Sequence, residues 1–344
     1  MAFAYSVIEP NVQCIPMIDV GGLLRGGQDE VSLIANQIGR AAQSSGFFRI
    51  YNHGIDLRLI EATYQTAKRF FAMGESQKWQ YYIGHSRNHR GYVPFSEKGD
   101  YTDEIHRNYE AFDLGIDLLE DDPDFVAGIF LLGPNIWPDL PGFKETITRY
   151  QSEIAFLGRQ LCLALEIYLG LPQGAITDHM TKPVSQLRLL HYLRNSEVTH
   201  PQSVNMGAHT DYECLTLLHT RNEGLQVMAH DDLWIDVPVD HSAFVVNIGD
   251  MLEAWSNGIL RSTPHRVVNR SPERFSLPYF VAANHDTEIR PFPQLIKKGE
   301  HARYEPFIAG AHLQRMLQRD FPYLRRRLQA DVKGTATAAD GRLR

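Results

Sequence analysis

Cysteine is scarce in this 344-residue chain, which has only Cys14, Cys162 and Cys214. They are too far apart for a zinc-finger spacing and too few to staple a secreted fold of this size. That excludes a disulfide scaffold and fits a reducing, cytoplasmic setting. Long apolar runs are also lacking. The richest stretch, 157–171, is broken by Arg159 and Glu166, and nothing approaches the roughly 20 apolar residues that span a bilayer. Met1 to Cys14 has neither the basic start nor the apolar stretch of a signal peptide, so no membrane partner is expected. Basic blocks are missing too: 34 Lys and Arg stand against 41 Asp and Glu, for a net charge of -7. Nothing here tracks a phosphate backbone, which excludes nucleic acid as a partner. The 43% hydrophobic content is ample for a buried core. There is no internal repeat, and composition leaves the oligomeric state open.

Residues 1–185 read mainly as helix. Ile34, Ile38 and Ala42 recur at helical spacing before Gly46, and 47–51 has the aromatic and β-branched content of a short strand. Asp56 is placed to cap a second helix in which Ile60, Tyr64, Ala67 and Phe71 share a face, with Gly74 as its stop. The strongest helical stripe follows Pro141: Phe143, Ile147, Tyr150, Ile154, Leu157, Leu161, Leu165 and Tyr168, ending at Gly170 and Pro172. Its length suits a scaffold helix backing a sheet. From Gln186 the pattern changes to strand-length runs at 187–193, 215–218, 225–228, 243–248, 265–269 and 275–282, spaced as in a sandwich or double-sheet jelly roll. One more helix is expected over 309–318, and a loose tail over 325–344.

The chemistry centres on His209-Thr210-Asp211. Residues i and i+2 of a strand point to one face, so an imidazole and a carboxylate can converge on one ion. Two imidazoles and a carboxylate on one face of an octahedron suit a non-haem Fe(II) oxygenase, because three adjacent positions stay open. His-x-Asp is weak by itself: His230-Asp231-Asp232 also fits, but it sits in a polar turn before Trp234. Downstream, Ser262-Thr263-Pro264-His265 places a histidine at the start of a β-branched run. Arg274 and Ser276 follow on one face of the next strand, offering a guanidinium and a hydroxyl to a carboxylate.

Taken together, these segments resemble the isopenicillin N synthase-like family of Fe(II)/2-oxoglutarate dioxygenases over about residues 15–324. The resemblance is carried by Ile15-Pro16-Met17-Ile18-Asp19, Gly46-Phe47-Phe48 leading to Asn52-His53-Gly54, Arg90-Gly91-Tyr92 and Asn135-Ile136-Trp137-Pro138. In the second half it rests on Ala208-His209-Thr210-Asp211, Gly224-Leu225-Gln226-Val227, Asn247-Ile248-Gly249-Asp250 and Ser256-Asn257-Gly258 running into Pro264-His265-Arg266-Val267. It implies an α+β chain with a double-stranded β-helix (jelly-roll, cupin-like) core flanked by helices. A single dioxygenase domain would span 1–324, with the core over 186–300 and a C-terminal helical region over 301–324.

The resemblance also implies Fe(II) on His209, Asp211 and His265, with 2-oxoglutarate and O2 as co-substrates. Arg274, Ser276 and Tyr192 would hold the far carboxylate of 2-oxoglutarate. Many family members have asparagine where this chain has Leu190 and proline where it has Leu193. The expected activity is hydroxylation of a small molecule with release of succinate and CO2, in specialised metabolism such as antibiotic biosynthesis. Asp211 argues against a halogenase, which needs that position vacated for halide. Desaturation, cyclisation or ethylene formation by a family oxidase stays open, as does a non-catalytic metal-binding jelly roll. Arg188 and Phe280 share the parity of Tyr192 and Ser276, and Tyr92, Glu110 and Phe112 lie in the half that forms the entrance in this family. These five are the candidate substrate contacts. His53 and Phe47, Phe48, Phe70 and Phe71 read as structural.

Overall fold

The computed structural model describes residues 15–95, 109–193, 204–229, 233–268 and 270–327. In chain order, the first half holds β1 (Met17–Asp19), α1 (Gly21–Arg25), α2 (Gln28–Ser44), β2 (Phe47–Tyr51), α3 (Leu57–Phe71), α4 (Glu75–Lys78), β3 (Gly91–Val93), β4 (Tyr109–Leu114), α5 (Pro123–Val126) and α6 (Phe143–Tyr168). The second half holds β5 (Gln186–Leu193), β6 (Val204–His209), β7 (Leu215–Thr220), β8 (Leu225–Met228), β9 (Trp234–Asp236), β10 (Phe244–Ile248), α7 (Asp250–Trp255), β11 (His265–Val268), β12 (Glu273–Val281), β13 (Glu288–Ile289), β14 (Phe307–Ile308) and α8 (Ala309–Asp320).

Local signals account for the helices. Asp56 caps α3 by accepting from the Arg58 backbone N–H at 2.8 Å, and Ile60, Tyr64, Ala67 and Phe71 are all buried along one stripe. The expected stop at Gly74 is not used: α3 ends at Phe71, and Gly74, with φ −58°, opens α4 instead. Gly46 follows α2 in the left-handed region at φ +71°. A Cβ there would lie 2.1 Å from the Arg261 carbonyl oxygen, so both the turn and the close approach require glycine. The 26-residue α6 buries Phe143, Ile147, Tyr150, Ile154, Leu157, Leu161 and Leu165. At Gly158 it comes so near the sheet that a Cβ would meet the Val281 side chain at 2.6 Å. This is the backing role its length suggested.

Among the described residues the strands form an eight-stranded sheet in the order β1-β2-β10-β7-β12-β5-β4-β3 and a four-stranded sheet in the order β6-β11-β8-β9. A two-stranded ribbon of β13 and β14 completes the set. The large sheet is antiparallel except for the β1–β2 pair. Residues from both larger sheets line one cavity of about 480 Å³, so the sheets face each other as the walls of a jelly roll.

The first 185 residues, where described, are mainly helical, and within them β1 to β4 supply both edges of the large sheet. One expectation is corrected here. The tail does not begin at 325, because 322–327 is helical and the Arg327 guanidinium donates to the Gly84 and Ser86 carbonyls at 3.0 Å each. Residues 328–344 lie outside the described residues, as do Cys14 and the second His-x-Asp copy at 230–232. No helix among the described residues is long and apolar enough to cross a membrane.

Candidate active site

The four-stranded sheet builds one wall of the cavity. Antiparallel pairing of β6 with β11 places His209 directly opposite His265, with ring centroids 4.3 Å apart. His209 is the last residue of its strand, so Asp211 reaches the cavity from the loop beyond it and not along a continuing strand as expected. The convergence holds nonetheless. Asp211 Oδ1 lies 3.7 Å from His209 Nε2 and 3.6 Å from His265 Nε2, and the three donor atoms all fall within 4.8 Å of one another. Among the described residues this is the one such group of His, Cys, Asp and Glu.

The surroundings fix which atoms remain available. The Nδ1 of His209 donates to the Gly207 carbonyl at 2.8 Å, which leaves the Nε2 lone pair facing the cluster. Asp211 Oδ2 accepts from Thr216 Oγ1 at 2.5 Å and Asn247 Nδ2 at 2.7 Å, so Oδ1 is the oxygen left for a ligand. Burial works to raise the Asp211 carboxyl, but the His265 and His209 rings and these two hydrogen bonds hold it below the usual range. Burial and the neighbouring His209 push His265 down to about 4, which keeps the imidazole neutral and able to ligate. Gly249 lets α7 dock on this loop: a Cβ would lie 2.3 Å from the Glu213 carbonyl and 3.0 Å from that of Asp211.

The large sheet supplies the opposite wall. Arg274, Ser276 and Phe280 of β12 line it with Arg188 and Tyr192 of β5, as their shared parity implies. Arg274 and Ser276 are 2% and 1% exposed, and Nη1 donates to the Ser276 hydroxyl at 3.0 Å. The guanidinium lies 4.8 Å from the centroid of the Tyr192 ring. Its Nε and Nη2 are buried and have no hydrogen-bond partner. Buried donors are rarely left unmade, so this guanidinium is set to receive a carboxylate.

The candidate substrate contacts divide in two. Arg188 and Phe280 reach the cavity, although Asp113 already grips Arg188 through Nε and Nη2 at 2.7 Å each. Tyr92, Glu110 and Phe112 do not line it. Glu110 and Phe112 alternate with the cavity-facing Tyr109 on β4 and point to the reverse side. There Glu110 accepts from Lys78 Nζ at 2.5 Å and the Tyr92 hydroxyl at 2.7 Å, and Phe112 packs on Phe70 and Phe143. His53 is structural as read: its Nδ1 accepts from the Ile55 N–H at 3.2 Å, and its ring packs edge-on to Phe244.

The sequence reading overlooked Gln186 and Glu213, both of which line the cavity. Burial and the Asp211 charge push the Glu213 carboxyl up to about 8. Also missed was a tie between the metal loop and the C-terminal helix. The Tyr212 hydroxyl donates to Asp320 Oδ2 at 2.7 Å, and Arg319 Nη2 donates to the Tyr212 oxygen at 2.7 Å.

The family model of the 2OG-Fe(II) oxygenase superfamily matches residues 184–283, and that of the N-terminal region of non-haem dioxygenases in morphine synthesis matches 15–140. The chain is 32% identical to a probable iron/ascorbate oxidoreductase of Dictyostelium discoideum, over 86% of this chain and 90% of the relative. It is also 32% identical to kihadalactone A synthase of Citrus sinensis, over 88% and 90%. Its fold matches that of a full-length Neurospora crassa protein crystallised with α-ketoglutarate at a TM-score of 0.79, with 28% identity over 89% of this chain and 96% of that one. The same Neurospora protein has also been crystallised with thymine; that complex matches at a TM-score of 0.76, with 29% identity over 88% and 96%.

Proposed function

The chain belongs to the 2OG-Fe(II) oxygenase superfamily, whose members use Fe(II), 2-oxoglutarate and O2, and on that premise we propose that it hydroxylates a small organic metabolite with release of succinate and CO2. One observation carries the reading. Three metal-competent atoms within 4.8 Å of one another share a cavity with a buried guanidinium that has two unpartnered N–H groups.

The residues fit the cofactors. In this proposal His209, Asp211 and His265 hold Fe(II), a donor set of two neutral imidazoles and one carboxylate that suits the ion. Arg274, Ser276 and Tyr192 take the far carboxylate of 2-oxoglutarate through the donors the protein leaves unused. The bound iron, with 2-oxoglutarate as reductant of O2, supplies the oxidising chemistry. The protein's part is orientation. The Gly207 carbonyl sets the His209 tautomer, and Thr216 and Asn247 turn Asp211 Oδ1 toward the cluster. The buried walls around Arg274 keep bulk water from competing for its donors.

The substrate class proposed is a specialised metabolite, and the setting a cytoplasmic one. The named synthase among the relatives supports a biosynthetic role. Anaerobic protein loaded with Fe(II) and 2-oxoglutarate is exposed to O2 with a library of small metabolites, and succinate and product masses are read together. Hydroxylation adds one oxygen atom to the product. Loss of two hydrogens would move the assignment to desaturation or cyclisation, and absence of succinate with every compound would leave a metal-binding module.

A further inference from the structure

The described residues contain five buried carboxylates, Glu110, Asp113, Glu166, Asp211 and Glu213. Four have partners that explain them. Glu110 receives Lys78, Tyr92 and His191, and Asp113 receives Arg188. Glu166 accepts from the backbone N–H groups of Gly174, Ile176 and Thr177, and Asp211 accepts from Thr216 and Asn247. Glu213, 6% exposed, accepts from no other residue's side chain, and it lines the cavity beside the metal cluster. A buried carboxyl left this way costs stability unless something else meets it.

Across the wall stands Gln186, 4% exposed, whose Nε2 is buried without a hydrogen-bond partner. Phe280 lies between the two. It pairs with Gln186 of β5 on one side and Thr216 of β7 on the other, and the Cys214 N–H bound to the Val281 carbonyl at 2.8 Å draws Glu213 to the end of the same strand. This stretch of wall thus carries an apolar ring, an unmet donor on Gln186 and a Glu213 carboxyl that no other side chain meets.

We propose that Glu213 and Gln186 recognise the primary substrate, and that this substrate is a neutral lactam- or imide-type compound with N–H and C=O on one edge. The N–H donates to Glu213 and the carbonyl accepts from Gln186, while the flat part of the molecule covers Phe280. The inference rests on the oxygenase reading only in taking this end of the cavity as the substrate's.

The test uses the full chain loaded anaerobically with Fe(II) and 2-oxoglutarate and titrated by ligand-observed NMR with phthalimide and with N-methylphthalimide. The pair shares ring and carbonyls and differs in the N–H. Wild type is expected to bind phthalimide about tenfold more tightly, the worth of one hydrogen bond to a buried acceptor. Glu213→Leu is expected to erase that preference and Glu213→Gln, which keeps an acceptor oxygen, to retain most of it. Gln186→Leu should weaken both probes by a similar factor, and it carries the test if Glu213→Leu does not fold. Equal affinities in wild type, a preference that survives Glu213→Leu, or no phthalimide binding by protein that holds Fe(II) and 2-oxoglutarate overturns the proposal. Failure to take up Fe(II) and 2-oxoglutarate is a separate readout, and it strikes the oxygenase reading instead.

Discussion

Two of the three metal-competent residues are held by close hydrogen bonds from or to their neighbours. Asn247 and Thr216 occupy one Asp211 oxygen, and the Gly207 carbonyl occupies one His209 nitrogen. Partners of this kind typically govern metal affinity by 10- to 100-fold. Asn247→Ala is therefore expected to weaken Fe(II) binding by about 10- to 100-fold in an anaerobic dialysis titration, with 2-oxoglutarate affinity little changed once iron is saturating. Arg274→Ala should do the reverse. It removes a charge-assisted anchor worth roughly 3 kcal/mol, so the 2-oxoglutarate Kd rises about a hundredfold while Fe(II) uptake is kept. Unchanged 2-oxoglutarate affinity in that variant contradicts the role given to Arg274.

At this scale the sequence was informative where chemistry repeats at short spacing. Arg274-x-Ser276 puts two functional atoms on one side of β12 through the period of two, whereas His209-x-Asp211 converges across the end of β6, where the loop brings Asp211 back to the cavity. The same period runs back from Arg188 to Gln186 on β5, whereas Glu213 lies in the loop before β7, where no strand period applies. Tyr92, Glu110 and Phe112 were taken from the half that forms the entrance in the family, and lying in that half does not say which face of a strand is inward. On β4 the inward set is the one containing Tyr109.

Among elements, the β5–β12 pair matters most, because it carries Tyr192 opposite Arg274. Behind it His191 stacks on Phe275 at 4.4 Å and bridges Glu110 at 2.8 Å and Glu273 at 2.9 Å. Burial alone would raise the Glu110 carboxyl, but hydrogen bonds from His191, Lys78 and Tyr92 hold it below the usual range. A carboxyl whose folded pKa is depressed stabilises the fold above its unfolded pKa, and that contribution fades as pH falls through the folded value. Glu110→Gln is expected to cost about 3 kcal/mol near neutral pH, as breaking a buried pair does. The gap to wild type should narrow below about pH 4 in urea unfolding curves. A constant gap from neutral to acid pH would show that the charge of Glu110 is not what holds the pair.

Of the elements that escaped the sequence reading, β4 and β6 did so for physical reasons. β4 is buried on both faces, with Glu110 and Asp113 hidden in ion pairs, so it shows no alternation of apolar and polar residues. β6, which delivers His209, reads Val-Asn-Met-Gly-Ala-His and lacks the β-branched density that marked its neighbours. The long helices were legible because an amphipathic stripe needs no partner to be seen: the α6 pattern ran from Phe143 to Tyr168, the observed helix.

For the whole molecule, two sheets close around a cavity of about 480 Å³ in whose walls Arg274 and Gln186 keep buried donors without partners. Binding there is binding to the folded state alone, so it adds stability by mass action. Fe(II) with 2-oxoglutarate at a hundred times Kd should add about 2.7 kcal/mol, and a chelator should remove it. A Tm unmoved by chelator in Fe(II)-loaded protein would separate the cluster from the metal.

His209, Asp211 and His265 are expected to gather one ferrous ion beside Arg274. An anaerobic titration with Fe(II) and then 2-oxoglutarate, followed by metal analysis and bound 2-oxoglutarate per chain, reads this directly. One Fe(II) and one 2-oxoglutarate per wild-type chain, with both lost in Asp211→Ala, is the expected result. Retention of iron and 2-oxoglutarate by Asp211→Ala at wild-type stoichiometry and affinity would contradict it.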